Sequence, residues 1–295
     1  MPFFLKNLSY SPISARLIQG DESKLLYKVE LQDYVRAFCG ALFFAVPLHY
    51  TMEMWERARV MADVDLIIVT VLAYLANVGY SVFSGHKDAE SRKAPWWDAA
   101  VSLSVGMIAS AITLLLMDQI THQISFEITV KMIALEALPT SFGASLARNQ
   151  LGGGDPANKP HLEDQFSVDV RKLMGTTLGS LMFAFNIAPT AEPIIIANSL
   201  GWHQVIMIMI FSVIVSYAMN FMANFVQEDD DGAVMLSNDW VETFVSYAIA
   251  LIVSAALLWT FGYLTIDTPL DFALPWIIVL GYVTNLGGSA GRLVL

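Results

Sequence analysis

Two glutamates share an unusual setting. Glu53 closes the triplet Thr51-Met-Glu53 and Glu192 closes Thr190-Ala-Glu192, with Pro47 before the first and Pro189 and Pro193 flanking the second. A proline has no N–H, so within a helix it leaves free the carbonyl four residues earlier. Pro193 frees that of Pro189, Pro189 that of Phe185 and Pro47 that of Phe43. Free carbonyls, a threonine hydroxyl and a carboxylate form a hard-oxygen set suited to a proton, Na⁺, Mg²⁺ or Ca²⁺, and broken helices are where transporters place such sites. A plainer reading competes, in which the glutamates only mark the outer boundary of two membrane helices. A third acid, Glu136, stands nine residues beyond Glu127 in an otherwise apolar run, about 13 Å deep at helical rise and near a bilayer midplane. An ionisable group at mid-helix costs roughly 2.5 to 3.5 kcal/mol to insert and is a functional candidate by default. Unless protonated, it must face water or a donor, and Tyr74, Asn77, Tyr217 and Asn220 are also near mid-depth. For those four, interhelical packing is the competing role.

Other combinations carry less. His49 and Glu53 stand four apart on one helical face, but no further His is nearby and a metal site is not expected. Gly287-Gly-Ser289-Ala-Gly291 matches a hydrolase elbow formally, yet it lies in a predicted span with no room for a following acid and His. Asp229 to Asp231 before Gly232 lacks the alternating ligands of a calcium loop. No nucleotide loop, CxxC or HExxH is present, so neither an enzyme nor a cofactor is expected. Arg148 and Arg292 end their helices near Asp98 and Glu242, where they compensate helix dipoles or form a cytoplasmic gate.

The elements that position these residues are membrane helices. The chain is 56% hydrophobic and 15% charged, where a soluble domain carries about 25% charge. Six runs have no Asp, Glu, Lys or Arg, namely 66–85, 99–117, 173–191, 205–225, 244–266 and 272–291. Two more, 37–52 and 132–147, are apolar enough to span, giving eight transmembrane helices. Residues 1–30 lack the apolar core of a secretory signal. The net charge of −11 argues against nucleic acid, and the single Cys39 against a disulfide scaffold. With the N-terminus inside, thirteen Lys and Arg fall on cytoplasmic segments and only Arg57, Arg59 and Lys131 outside, so both termini are expected in the cytoplasm. Trp55, Trp96, Trp97, Trp202, Trp240 and Trp276 fall near helix ends, as interfacial anchors do.

An internal repeat is legible. Thr140-Ser-Phe-Gly143-Ala-Ser145-Leu-Ala-Arg148 recurs as Thr284-Asn-Leu-Gly287-Gly-Ser289-Ala-Gly-Arg292, 144 residues later. Nearly the same offset pairs Asp98 with Glu242, Tyr74 with Tyr217 and Asn77 with Asn220, while a shift of 139 pairs Gly40 with Gly179 and Glu53 with Glu192. The expected architecture is an all-α transmembrane eight-helix bundle of two parallel four-helix repeats, with any pore or pocket on the axis between them. Its parts are a cytoplasmic segment 1–30, a first repeat 31–151, a Gly- and Pro-rich cytoplasmic linker 152–168 and a second repeat 169–295.

The stretch Phe44-Ala-Val-Pro-Leu-His-Tyr-Thr-Met-Glu-Met-Trp55, with Ile187-Ala-Pro-Thr-Ala-Glu192 and Gly143-Ala-Ser-Leu-Ala-Arg148, resembles a family of bacterial polytopic integral membrane proteins of unknown function. The resemblance spans nearly the whole chain. It implies a multi-pass protein of the bacterial inner membrane and transfers no mechanism. From the residues, the expectation is a channel or secondary transporter for a small cation or protons, with Glu53 and Glu192 as a paired outer site and Glu136 as a mid-membrane relay. The alternative is a scaffold, sensor or accessory subunit whose segment 1–30 engages a membrane partner, and a homo-oligomer is compatible with both.

Overall fold

The computed structural model describes residues 31–45, 47–83, 95–150, 166–226, 236 and 238–294. The expected N-terminal segment 1–30, residues 152–165 of the linker and the acidic run 228–231 lie outside the described residues. Every regular element among them is a helix. In chain order these are α1 (31–45, resumed at 47–49), α2 (Met52–Val60), α3 (Asp63–Phe83), α4 (Pro95–Leu116), α5 (Phe126–Gln150), α6 (Val168–Ala184), α7 (Glu192–Ser199), α8 (Trp202–Val226), α9 (Asp239–Thr260) and α10 (Leu270–Val294). Five of them, α3, α4, α8, α9 and α10, are long and apolar enough to cross a membrane by length and composition. That is fewer than the eight spans expected. Helix α6 has only 17 residues and begins with Asp169, Arg171 and Lys172; α5 carries Glu127, Lys131, Glu136 and Arg148.

Two expected spans are broken. The run 37–52 ends its helix at His49 and starts α2 at Met52, and the run 173–191 leaves its helix at Ala184, passes through turns and starts α7 at Glu192. Prolines explain the second interruption, since Pro189 and Pro193 cannot donate to an α-helical ladder; Pro193 sits instead in the first turn of α7, where the missing N–H costs nothing. Each break is closed in the same way. The hydroxyl of Thr51 donates to the Leu48 carbonyl and that of Thr190 to the Ile187 carbonyl, both at 2.7 Å.

Helix α5 is wrapped by α2, α3 and α4, and α10 by α6, α7, α8 and α9. From Ala134 through Ser145 every residue of α5 is buried, which is why this helix can hold polar groups that lipid would not accept. Close approach depends on missing side chains. A Cβ on Gly40 would overlap that of Ala147 on α5, and a Cβ on Gly179 would overlap the Gly287 carbonyl on α10. Small residues let such helices meet backbone to backbone.

Several contacts recur between the two halves of the chain. Ser110 bonds Thr140 at 3.1 Å and Ser254 bonds Thr284 at 2.9 Å; each pair is 144 residues from its mate. Asn77 faces Ser145, and Ser216 faces Ser289 in the matching place. The contacts thus align Asn77 with Ser216, 139 residues on, and not with Asn220, which instead reaches Thr243 at 3.5 Å. The starts of α3 and α8, Asp63 and Trp202, differ by the same 139. The starts of α4 and α9, Pro95 and Asp239, differ by 144, so the stretch from α8 to α9 is five residues longer than that from α3 to α4.

Candidate functional site

The break after α1 puts an imidazole inside the protein. His49 is the last helical residue of α1, fully buried, and its Nε2 lies 3.8 Å from Oε2 of Glu136 on α5, itself fully buried. From α4 the Ser110 hydroxyl comes within 3.3 Å of the same Nε2 and joins Thr140. Thr140 in turn donates to the Glu136 backbone carbonyl at 2.5 Å. Helix α2 closes the site with Trp55, whose indole N–H acts on the Glu136 carboxyl without hydrogen-bond geometry. Neither carboxyl oxygen of Glu136 receives a hydrogen bond, and Nδ1 of His49 makes none. Leu48, Met54, Met132, Leu135 and Leu138 complete an apolar surround, each under 2% exposed.

Such an arrangement constrains charge. A buried ion without a partner costs several kcal/mol, whereas a neutral acid beside a neutral imidazole, or a carboxylate beside an imidazolium, carries no net charge. The two forms differ by the position of one proton. The second half has no such pair. At the matching positions stand Ala188 and Leu280, both buried in the same apolar cluster, although Ser254 and Thr284 keep the hydroxyl contact.

Glu136 is at the centre of the cluster, but its neighbours are His49, Ser110 and Trp55 and not Tyr74, Asn77, Tyr217 or Asn220. Tyr74 donates to the Trp96 carbonyl at 2.8 Å, Tyr217 stacks on Trp240, and Asn77 is satisfied by Ser141, Ser145 and the Ala73 carbonyl. Trp55 is therefore not an interfacial anchor like Trp96, Trp97, Trp202 and Trp240, which are half exposed. Glu53 is partly exposed and Glu192 exposed, each in the first turn of a short helix, where the N-terminal dipole favours a carboxylate. The freed carbonyl of Pro189 accepts from the Tyr263 hydroxyl at 2.8 Å, and Arg57 of α2 lies over that tyrosine ring at 4.5 Å. The oxygen set expected around Glu192 is thus partly occupied by Thr190 bonding locally and by Tyr263. Among the described residues no group of three or more His, Cys, Asp or Glu could hold a metal ion.

The four gate candidates do meet. Arg148 binds Asp98 at 3.2 Å, and Ser81 reaches Asp98 at 3.4 Å. Arg292 contacts Glu242, which also binds Lys172 at 3.0 Å. A cavity of 520 Å³ lies where α1, α3, α5, α6 and α10 converge, bordered by Gly40, Phe44, Gly143, Gly179, Phe183 and Gly291. Its walls are apolar, so the pocket expected between the halves offers an ion no ligands. Sequence reading missed His49 as the partner of Glu136. The signal was present, because both residues lose their polar character together at Ala188 and Leu280.

The model of a family described as "Putative integral membrane protein (DUF2391)" matches residues 33–295. No curated protein matches the chain, and no solved structure does.

Proposed function

The chain belongs to the DUF2391 family of multi-pass integral membrane proteins, and from that premise we propose that it is a secondary transporter or channel for protons or a small cation, with Glu136 as the group that takes up and releases the ion. One observation carries the reading. Glu136 is fully buried on a wrapped helix, faces the end of a broken helix, and has neither carboxyl oxygen hydrogen-bonded. Structural acids in apolar surroundings are normally satisfied, and an acid left open beside a titratable partner is suited to binding and release. In this reading the two halves are parallel copies of one helical unit, supported by the recurring contacts at shifts of 139 and 144. The excess of Lys and Arg on one set of segments supports cytoplasmic termini and a bacterial inner-membrane location. Asp98–Arg148 and Glu242–Arg292 then sit at the cytoplasmic ends of α5 and α10 as paired latches. Glu53 and Glu192 lie at the opposite mouth and attract cations without holding them in a closed site. No enzymatic step belongs to this reading.

The test is flux in proteoliposomes under H⁺, Na⁺, K⁺, Mg²⁺ and Ca²⁺ gradients. Glu136→Gln is expected to abolish flux, and Glu53→Gln/Glu192→Gln to reduce it without abolishing it. Folded wild type that moves none of these ions would overturn the proposal and favour the scaffold, sensor or accessory role. Retained flux in Glu136→Gln would remove that residue from the path.

A further inference from the structure

We infer that His49 and Glu136 share a single exchangeable proton and that their site takes a proton and excludes metal cations. This deepens the transport reading by naming the ion, and its occupancy can be measured without flux. The chemistry of the surrounding groups decides between the ions. Ca²⁺ and Mg²⁺ need about six or more oxygens, and the hydroxyls here are committed elsewhere, Thr140 to the Glu136 carbonyl and Ser110 to Thr140 and His49. The group α2 turns toward the carboxyl is the indole N–H of Trp55, a donor only.

A proton needs only two acceptors. In the tautomer that carries its proton on Nδ1, with the one Ser110 hydroxyl proton turned from Thr140 to the ring, the neutral imidazole presents Nε2 as an acceptor toward Glu136 and Ser110. Transfer breaks the Oε2–H bond of Glu136 and forms Nε2–H on His49, giving a carboxylate and an imidazolium with no change of net charge. The 3.8 Å separation closes by about 1 Å to reach direct hydrogen-bond distance.

Among the described residues, the ionisable groups of the neighbouring helices have other partners or are exposed: on α1 Arg36 binds Asp33, and on α3 Asp63 binds Lys131, Asp65 is exposed, Tyr74 donates to the Trp96 carbonyl and Tyr80 borders the apolar cavity. On α5, Lys131 is bound to Asp63 and Glu127; on α2, Arg57 lies over Tyr263, Glu53 is at the first turn, and Glu56 and Arg59 are exposed. On α4 the acid is Asp98, held by Arg148. The second half supplies an internal control. It keeps the hydroxyl pair Ser254–Thr284 while replacing both titratable groups by Ala188 and Leu280, so the hydroxyls serve packing and the acid with its imidazole is an added function.

The experiment uses the full chain in liposomes. Infrared difference spectra across a pH titration are expected to show the protonated-carboxyl and imidazole bands changing at one common pH, as interacting sites do. Dicyclohexylcarbodiimide, which reacts with a protonated carboxyl in apolar surroundings, should label Glu136 with the same pH dependence and without protection by excess Na⁺, Li⁺ or Ca²⁺ at fixed pH. His49→Gln should move that dependence by about one pH unit or more, a tenfold change in proton affinity. Protection by a metal cation, separate titration of the two bands in wild type, or an unchanged profile in His49→Gln would each overturn the inference. If the bands titrate together while flux is absent, the transport reading fails and the proton site stands; if flux is present while the bands titrate separately, transport stands and the shared proton is ruled out.

Discussion

Exchanging the buried pair for its counterparts in the other half of the chain puts the energetics of the site to a quantitative test. The variants are His49→Ala, Glu136→Leu and both together, which recreates the Ala188 and Leu280 pairing. The two side chains are essentially unexposed and 3.8 Å apart. Removing one member of a buried ionisable pair typically costs about 3–5 kcal/mol, because the other is left without compensation. His49→Ala should approach that figure, since Glu136 then has no titratable neighbour. Glu136→Leu should cost about 1 kcal/mol, because a neutral imidazole keeps its contact with Ser110. In the double variant no polar group of the pair remains buried, and replacing such a pair by apolar groups is often neutral or stabilising. Its stability should fall within about 2 kcal/mol of wild type once the volume lost at position 49 is counted. The resulting interaction term is about 2–3 kcal/mol, large for residues in contact. At about 2–4 °C per kcal/mol, His49→Ala should lower Tm by on the order of 10 °C and the double variant by much less. Thermal unfolding in detergent at fixed pH, followed by tryptophan fluorescence, reads all three. If the double variant loses the sum of the single losses within about 0.5 kcal/mol, the two residues do not interact and the argument for a shared proton loses its structural basis.

Two further outcomes follow from the ion pairs at the ends of the helices. Glu242→Gln should destabilise by about 3–5 kcal/mol, because Glu242 and Arg292 are buried and Lys172 joins them, whereas Asp98→Asn, whose pair with Arg148 is more open, should cost about 1 kcal/mol or less; denaturant titration of the two variants compares them directly. At the opposite end, hydrogen bonds from Lys131 to Asp63 and then Glu127 hold the Lys131 pKa above its ordinary value. A group whose folded pKa exceeds its unfolded one contributes fully below the unfolded value, about 10.5 for lysine, and loses that contribution as pH rises through the folded value. Wild type should therefore lose stability on the alkaline side of that value more steeply than Lys131→Met, with the two slopes equal at neutral pH.

How far the sequence reaches can be judged from particular residues. Uncharged runs about as long as a bilayer needs made the membrane class legible, since only internally bonded helices tolerate such surroundings. The duplicated Thr-Ser/Asn-x-Gly-x-Ser-x-x-Arg motif on α5 and α10 was legible too, because residues on one helix keep their spacing whatever the fold does. Glu136 stood out by the cost of placing an acid in an apolar run. The lengths of α1 and α6 were not legible. Composition reports where an apolar stretch ends and is blind to where a proline-rich turn inside it stops the hydrogen-bond ladder.

The sequence by itself determined a helical, membrane-embedded chain with an acid near its middle, because hydropathy and period are local properties. Tertiary structure alone decided which groups that acid meets. His49 and Glu136 are 87 residues apart in the chain and lie on different helices, so no spacing rule connects them. Their meeting depends on where α1 breaks and on how closely Gly40 lets it approach α5. The same packing gave Asn77, Tyr74 and Tyr217 to other partners and left Glu53 and Glu192 at the surface. Contacts between helices are set by backbone approach and rotation, which a one-dimensional pattern does not encode.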